Sequence, residues 1–359
     1  MENIGNDKRI TGVEALLAPG KIEEMYPVSP SVMKMIDGFR ETIGNILGGR
    51  DSRLLAIVGP CSIHDPKAAI EYATKLKGLS EKLSDVFFIV MRTYFEKPRT
   101  TTGWKGLILD PDMDGSYNIP KGVQVARKLL LDIASLGLPL GCEVLDPIIP
   151  QYTDVLMSWS SIGARTTESQ VHRNLASGLS VPVGFKNSTS GDITNALNAI
   201  KSANCPASFI GVNKDGQCSV FHTSGNEYAH LIMRGGDDGP NYYEDVVEEA
   251  GDEMNKRGLL PSIIIDCSHA NSKKDYKRQK RVLRNVIEQV TLSSPYIKGF
   301  MLESNLFEGS QKISESSSSL RYGVSVTDGC IGWDETERIM EHAADVLRKS
   351  KLEKEDKDE

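Results

Sequence analysis

The chain has 359 residues, 42 Lys+Arg against 49 Asp+Glu, and a formal net charge of −7. At 39% hydrophobic and 25% charged residues, its composition is that of an ordinary globular protein and excludes disordered and fibrous classes. The acidic balance argues against broad attraction to nucleic acid or an anionic membrane, and no run of about 18 apolar residues offers a membrane span.

The first segment, 1–50, begins MENIGNDKRITG with no apolar signal core, so a cytoplasmic protein is expected. It carries one helix candidate, SPSVMKMIDGFRETIGNILGG, and reads as an extension ahead of the main domain. From there short apolar, β-rich runs alternate with amphipathic stretches. The runs are 54–61, 86–92, 138–145, 159–165, 181–187, 230–236, 261–269 and 297–304. They are near-continuous rather than alternating, as strands covered on both faces require. The helix candidates between them include 66–83, 122–137, 191–203, 242–258 and 277–290. Eight strands alternating with helices predict a (β/α)8 TIM barrel over 51–348, longer than the typical ~250 residues. A doubly wound open sheet is the alternative, but the Gly-rich turn after its first strand is missing.

Two further pieces are set apart. Residues 208–223, SFIGVNKDGQCSVFHT, read as a β-hairpin around Asp-Gly, inserted before strand six. The end, KSKLEKEDKDE (349–359), reads as a flexible, solvated tail. The six cysteines at 61, 142, 205, 218, 267 and 330 are sparse and form no CxxC pair. Neither a disulfide framework nor a zinc ribbon is expected from them.

The polar residues at the strand ends carry the functional signal. Strands one to eight end in, or carry, Cys61, Arg92, Glu143, Arg165, Lys186, Arg234, His269 and Glu303. In a barrel, C-terminal strand ends and the loops after them build one pocket, so all eight should converge. Any one alone is more simply a strand end meeting solvent. Arg92, Arg165, Lys186 and Arg234 would repel one another without anionic ligands, and together suit a small carboxylate- or phosphate-bearing substrate. Cys61, His269 and Glu303, with Asp328 as the natural fourth donor, suit one divalent transition metal; thiolate plus imidazole disfavours Mg2+ and allows Mn, Fe, Co or Zn. The basic loop after strand two, with Lys97, Arg99 and Lys105, suits a second phosphate. The DPDMDGS segment (110–116) has Lys121 where a calcium loop needs a bidentate Glu, so calcium is rejected.

Several long motifs resemble one family. GPCSIHD (59–65), MRTYFEKPRTTTGWKGL (91–107), IGARTTESQVHRNLASGL (162–179) and PVGFKN (182–187) are similar to 3-deoxy-D-arabino-heptulosonate 7-phosphate (DAHP) synthase. So are LIMRGG (231–236), DCSHANS (266–272), MLESNLFEG (301–309) and YGVSVTDGCIGW (322–333). The resemblance is to the class I, metal-dependent, feedback-regulated form, and runs from about residue 6 to residue 348.

It implies a transferase that condenses phosphoenolpyruvate with erythrose 4-phosphate, the first step of the shikimate pathway and of aromatic amino acid biosynthesis. It implies metal ligands at Cys61, His269, Glu303 and Asp328. Phosphoenolpyruvate contacts fall on Arg92, Lys97, Arg165, Lys186 and Arg234, and erythrose 4-phosphate contacts on Arg99 and Thr100, with Asp328 nearby. Lys97 is the candidate proton donor to the new alkoxide, and Glu143 the residue that orients water. For an aromatic amino acid inhibitor the matching positions are Asn6, Asp7, Pro150, Gln151, Leu175, Leu179, Ser180, Phe209, Gly211 and Phe221. At Gly211 the chain resembles tyrosine-sensitive members, where phenylalanine-sensitive ones tend to have Ser; the missing side chain leaves room for a phenolic hydroxyl, so the resemblance implies tyrosine as inhibitor. The family also implies a homodimer or homotetramer with the N-terminal arm crossing an interface. The rivals are the related enzyme that uses arabinose 5-phosphate to make 3-deoxy-octulosonate 8-phosphate, and a non-catalytic sugar-phosphate or metal-binding barrel.

Overall fold

The computed structural model describes residues 8–99, 101–313 and 320–358; Asn6, Asp7 and Thr100 lie outside them. Two helices, α1 (Pro19–Met25) and α2 (Pro30–Leu47), precede the sheet. Both start at a proline, whose missing N–H costs nothing in the first turn, and the Ser29 side chain accepts from the Val32 N–H to cap α2.

The eight expected strands all form. They are β1 (Leu54–Gly59), β2 (Phe87–Arg92), β3 (Leu140–Val144), β4 (Trp159–Ile162), β5 (Val183–Lys186), β8 (His230–Met233), β9 (Ile263–Asp266) and β10 (Ile297–Glu303). They close into a barrel in chain order, every neighbouring pair parallel, with β10 returning to β1. The connecting helices α3 (Pro66–Lys82), α4 (Ile119–Ser135), α5 (Pro150–Thr153), α6 (Gln170–Ala176), α7 (Thr194–Ala203), α8 (Glu244–Lys256) and α9 (Gln279–Thr291) cover it outside.

Strand alternation sorts the core into two layers. Leu54, Ala56 and Val58 pack outward against the helices, while Leu55 and Ile57 point inward to meet Val90, Trp159, Ile232, Ile264 and Met301. Ile43, Ile46 and Leu47 of α2 join that inner layer. The extension therefore seals the N-terminal mouth of the barrel, and the open mouth is the one where the strands end.

β6 (Ser208–Val212) and β7 (Cys218–His222) form the expected hairpin between α7 and β8, turning through Gly216 at φ 80°. The tail departs from expectation. α10 (Trp333–Asp358) runs through 349–358 as helix, where a flexible end was predicted. Its Lys, Glu and Leu residues are strong helix formers continuing an established helix, so no new nucleus is needed. Lys354 Nζ also donates to Ser293 Oγ at 2.8 Å. Among the described residues, no helix is long and apolar enough to cross a membrane.

Candidate active site

The open mouth holds a cavity of about 600 Å³ lined by Lys97, Arg99, Glu143, Arg165, Lys186, Arg234, His269, Glu303 and Asp328. Arg92 and Cys61 lie buried beside it, 1% and 0% exposed, and each is bonded to a lining residue. Sequence spacing alone could not bring these together; barrel closure does. Arg92, Lys186 and Glu303 are last residues of their strands, and Arg234 follows β8 directly. Arg165 and His269 were expected at strand ends but sit three residues beyond them, in the loops after β4 and β9.

Three of the four expected metal ligands meet. Donor atoms of Cys61, Glu303 and Asp328 lie within 4.8 Å of one another, with Cys61 Sγ 3.6 Å from Asp328 Oδ2. The loop bearing Asp328 is docked on the end of β1: Cys61 N–H donates to Cys330 Sγ, and the Ser62 and Thr327 hydroxyls are 2.7 Å apart. His269 lines the same cavity but does not join that group. Its Nδ1 is 2.8 Å from Asp266 Oδ2 and 2.8 Å from Ser268 Oγ, which leaves Nε2 as the nitrogen able to ligate. A carboxylate behind a histidine is the usual arrangement for a metal-binding imidazole. His269 is also held at φ 50°, a strained region for this residue type.

The charge balance fits a cation. Burial pushes the Cys61 thiol up to about 11, and the nearby Glu303 adds to this. A divalent ion would reverse that balance and deprotonate the sulfur. Thiol, carboxylate and imidazole together fit Mn, Fe, Co or Zn rather than Mg2+.

The cations are better balanced than the sequence implies. Four mutually repelling groups were expected, yet Arg92 Nη2 meets Glu303 Oε1 at 3.2 Å and Lys186 Nζ meets Glu143 Oε2 at 2.9 Å. Burial alone would raise the Glu143 carboxyl, but Lys186 and then Lys97 outweigh it and hold it below its usual range. Gly163 makes room for this carboxylate, since a Cβ there would meet Glu143 Oε1 at 2.6 Å. Arg92 still has capacity, as its buried Nη1 has no hydrogen-bond partner among the described residues. Lys97 Nζ lies 3.1 Å from Cys61 Sγ and 3.2 Å from Cys61 O. Burial works against its charge, but Cys61, Glu303 and Glu143 together keep its pKa above the usual lysine value. Lys97 is thus protonated at neutral pH.

Several supporting residues escaped the sequence reading. The Tyr94 ring lies under two cations, Arg92 at 3.9 Å and Lys186 at 5.8 Å. Asn187 Oδ1 accepts from the Arg234 N–H at 2.8 Å and from Asn241 Nδ2 at 3.2 Å. Asn271 Nδ2 donates to the carbonyls of Met233 and Asp266, tying the ends of β8 and β9 together. Asp266 and His269 at i,i+3 beyond an apolar run was the one signal available. An asparagine network leaves no periodicity to read.

A sequence model described as the DAHP synthetase I family matches residues 25–341. The chain belongs to that family. It is 50% identical over 335 residues to the Tyr-sensitive phospho-2-dehydro-3-deoxyheptonate aldolase of Escherichia coli K12, covering 93% of this chain and 94% of the relative. The Phe-sensitive relative from the same organism is also 50% identical, over 96% of this chain and 97% of that one. A solved phospho-2-dehydro-3-deoxyheptonate aldolase from Francisella tularensis SCHU S4 superposes with a TM-score of 0.92 at 46% identity, covering 94% of this chain and 98% of that one. The expected class I DAHP synthase, a transferase on a (β/α)8 barrel, is borne out. The chain is thus as similar to a Tyr-sensitive relative as to a Phe-sensitive one.

Proposed function

We propose that the cavity joins phosphoenolpyruvate to erythrose 4-phosphate through the residues named above. The observation that carries this is the meeting of an anion-binding set with a thiol-carboxylate donor group at one barrel mouth. Arg92, Lys186, Arg165 and Arg234 take the carboxylate and phosphate of phosphoenolpyruvate, the arginines through paired N–H forks. Arg99, with Thr100 beside it, takes the phosphate of the four-carbon sugar.

Carbon 3 of phosphoenolpyruvate attacks the aldehyde carbon, forming the C–C bond, and electron demand develops at carbon 2. Lys97 delivers its proton to the aldehyde oxygen as it becomes an alkoxide. Glu143 orients the water that adds at carbon 2; one water proton restores the charge of Lys97, and C–O cleavage of the resulting phosphohemiketal releases phosphate, which carries off the hydroxyl proton as the ketone forms. A divalent metal held by Cys61, Glu303, Asp328 and Nε2 of His269 would supply Lewis-acid polarisation of the aldehyde. The test is phosphate release from the two substrates with and without added Mn, Fe, Co or Zn. Release that depends on the metal and on the four-carbon aldehyde supports the reading; preference for arabinose 5-phosphate overturns it.

The hairpin and arm form the second site of this reading, where an aromatic amino acid, tyrosine foremost, binds and inhibits. Phe209 and Phe221 stack at 5.3 Å on one face of the hairpin, and a Cβ at Gly211 would press on the Phe221 ring at 3.0 Å. The hairpin packs on α6, which carries Leu175, while the arm bonds to α5, which carries Pro150 and Gln151, through Tyr152 Oη to Leu17 O at 2.8 Å. Leu179 and Ser180 lie just beyond α6. Exposed Val13 of the arm and Ile210 and Val220 on the hairpin suit contact with a second copy, in a homodimer or homotetramer. We place the enzyme in the cytoplasm, where Cys61 stays reduced. Inhibition assays with Phe, Tyr and Trp decide the inhibitor, and inhibition by Phe alone would refute tyrosine.

A further inference from the structure

Glu96 is 4% exposed, sits beside Lys97 in the loop after β2, and has no role in the chemistry above. Its side chain does not enter the substrate cavity. Instead its Oε1 accepts from the Asp146 N–H at 3.2 Å, in the loop after β3. That loop is anchored again at the neighbouring residue, where Leu145 O meets His172 Nε2 of α6 at 2.7 Å.

The backbone around Glu96 is tightly held. Ile63 N–H donates to Tyr94 O at 2.9 Å, and Lys97 N–H donates to Lys105 O at 2.9 Å. Gly106, at φ 112°, packs so close that a Cβ would meet Phe95 O at 2.0 Å and Glu96 Cα at 2.8 Å. The Glu96 carboxyl thus joins two loops that carry different parts of the site: Lys97 on one, and the residues just beyond Glu143 on the other.

We infer that Glu96 is a positioning residue, a carboxyl clasp from the loop after β2 to the loop after β3 that holds Lys97 at its working distance from the reacting oxygen. This rests on the proton-donor reading of Lys97. The environment favours the neutral form. Burial first, and then Asp146, push the Glu96 carboxyl up to about 8, with Glu143 adding to this and the Asp146 and Leu145 N–H groups opposing it. Cys142 of β3 is also close enough to feel its charge. As pH rises through about 8, a further negative charge would form beside Asp146 and Glu143, and repulsion from those two carboxylates would push the two loops apart although the N–H bonds to Glu96 persist. Misplacing a reacting group by about 1 Å costs on the order of 100-fold in rate, so a small loop shift suffices.

The experiment compares Glu96→Ala, Glu96→Gln and Lys97→Met in the full-length, metal-loaded protein. Glu96→Ala is expected to lower kcat by about tenfold or more. Its KM for phosphoenolpyruvate and its metal-titration midpoint should stay within about threefold, below the tenfold floor for losing a metal-supporting contact. Glu96→Gln, isosteric and permanently neutral, should recover most of kcat and lose the alkaline decline near pH 8. If Glu96→Ala does not fold, Glu96→Asp, one methylene too short to reach, takes its place.

A kcat within about twofold of wild type in the shortened variant overturns the proposal, as that is well under the loss a misplaced group causes. So does a Gln variant as slow as the Ala variant. The double variant Glu96→Ala/Lys97→Met should be no slower than Lys97→Met, because the clasp acts through that lysine. Near-normal turnover by Lys97→Met alone would sink the lysine's role. The clasp would then be judged separately, by faster amide exchange over 97–99 and 101–106 in Glu96→Ala; unchanged exchange overturns it.

Discussion

The catalytic mouth and the hairpin–arm region are built from opposite materials. At the mouth, charges are buried and paired: Arg92 with Glu303, and Lys186 with Glu143. The hairpin region relies on half-buried aromatic contact, such as the Phe209–Phe221 stack, and on backbone hydrogen bonds between the arm and the hairpin turn, such as Gly20 N–H to Lys214 O at 2.8 Å. A buried ion pair resists change because removing one partner strands the other in a low-dielectric interior. A partly exposed apolar face can rearrange at little cost. Rigid charge suits chemistry, and soft apolar packing suits a regulatory ligand that comes and goes.

Changes at the mouth should therefore be severe and changes at the hairpin mild. The largest effect is expected from Cys61→Ala, which removes one of the proposed metal donors; activity should fall to background, and a metal titration should show weakened binding. Activity above about a tenth of wild type would break the ligand assignment. Lys97→Met should lower kcat by about 100-fold or more while leaving metal affinity intact, since the role proposed for the lysine is to move a proton rather than to hold the ion. Asp266→Asn should weaken metal binding by about 10- to 100-fold through the freed imidazole of His269, read by competition with a chelator. At the hairpin, Gly211→Ser should leave kcat unaltered yet change tyrosine inhibition by about tenfold, because the new atoms press on the Phe221 ring. A matching loss of kcat there would erase the contrast between the regions. Truncation after residue 348 should cost least, about 0.5 kcal/mol or less in a denaturant titration, as befits exposed helix beyond the barrel.

Much of the architecture was readable from the chain. Eight apolar runs, their spacing and the Asp-Gly hairpin follow from periodicity and turn chemistry, and the structure shifts their ends by only a few residues. The tail was misread because its charges suggest solvation, while its Lys and Glu residues are equally good helix formers once α10 has begun. At the site, the residue types at strand ends were visible, but their partners were not. No local pattern announces that Lys186 faces Glu143, that Tyr94 lies beneath two cations, or that Glu96 reaches Asp146 across to the next loop.

By itself the sequence determined the number of strands, the order of elements and the cast of ionisable groups, because these depend on nearest-neighbour propensity and pattern. Tertiary structure alone decided the pairing. Closing the barrel sets strand register, and register decides which carboxylate meets which cation and which ring nitrogen of His269 remains available. The net charge of −7 says nothing of this. Electrostatics at the mouth depend on distance and desolvation, and both exist only once the eight strands have closed.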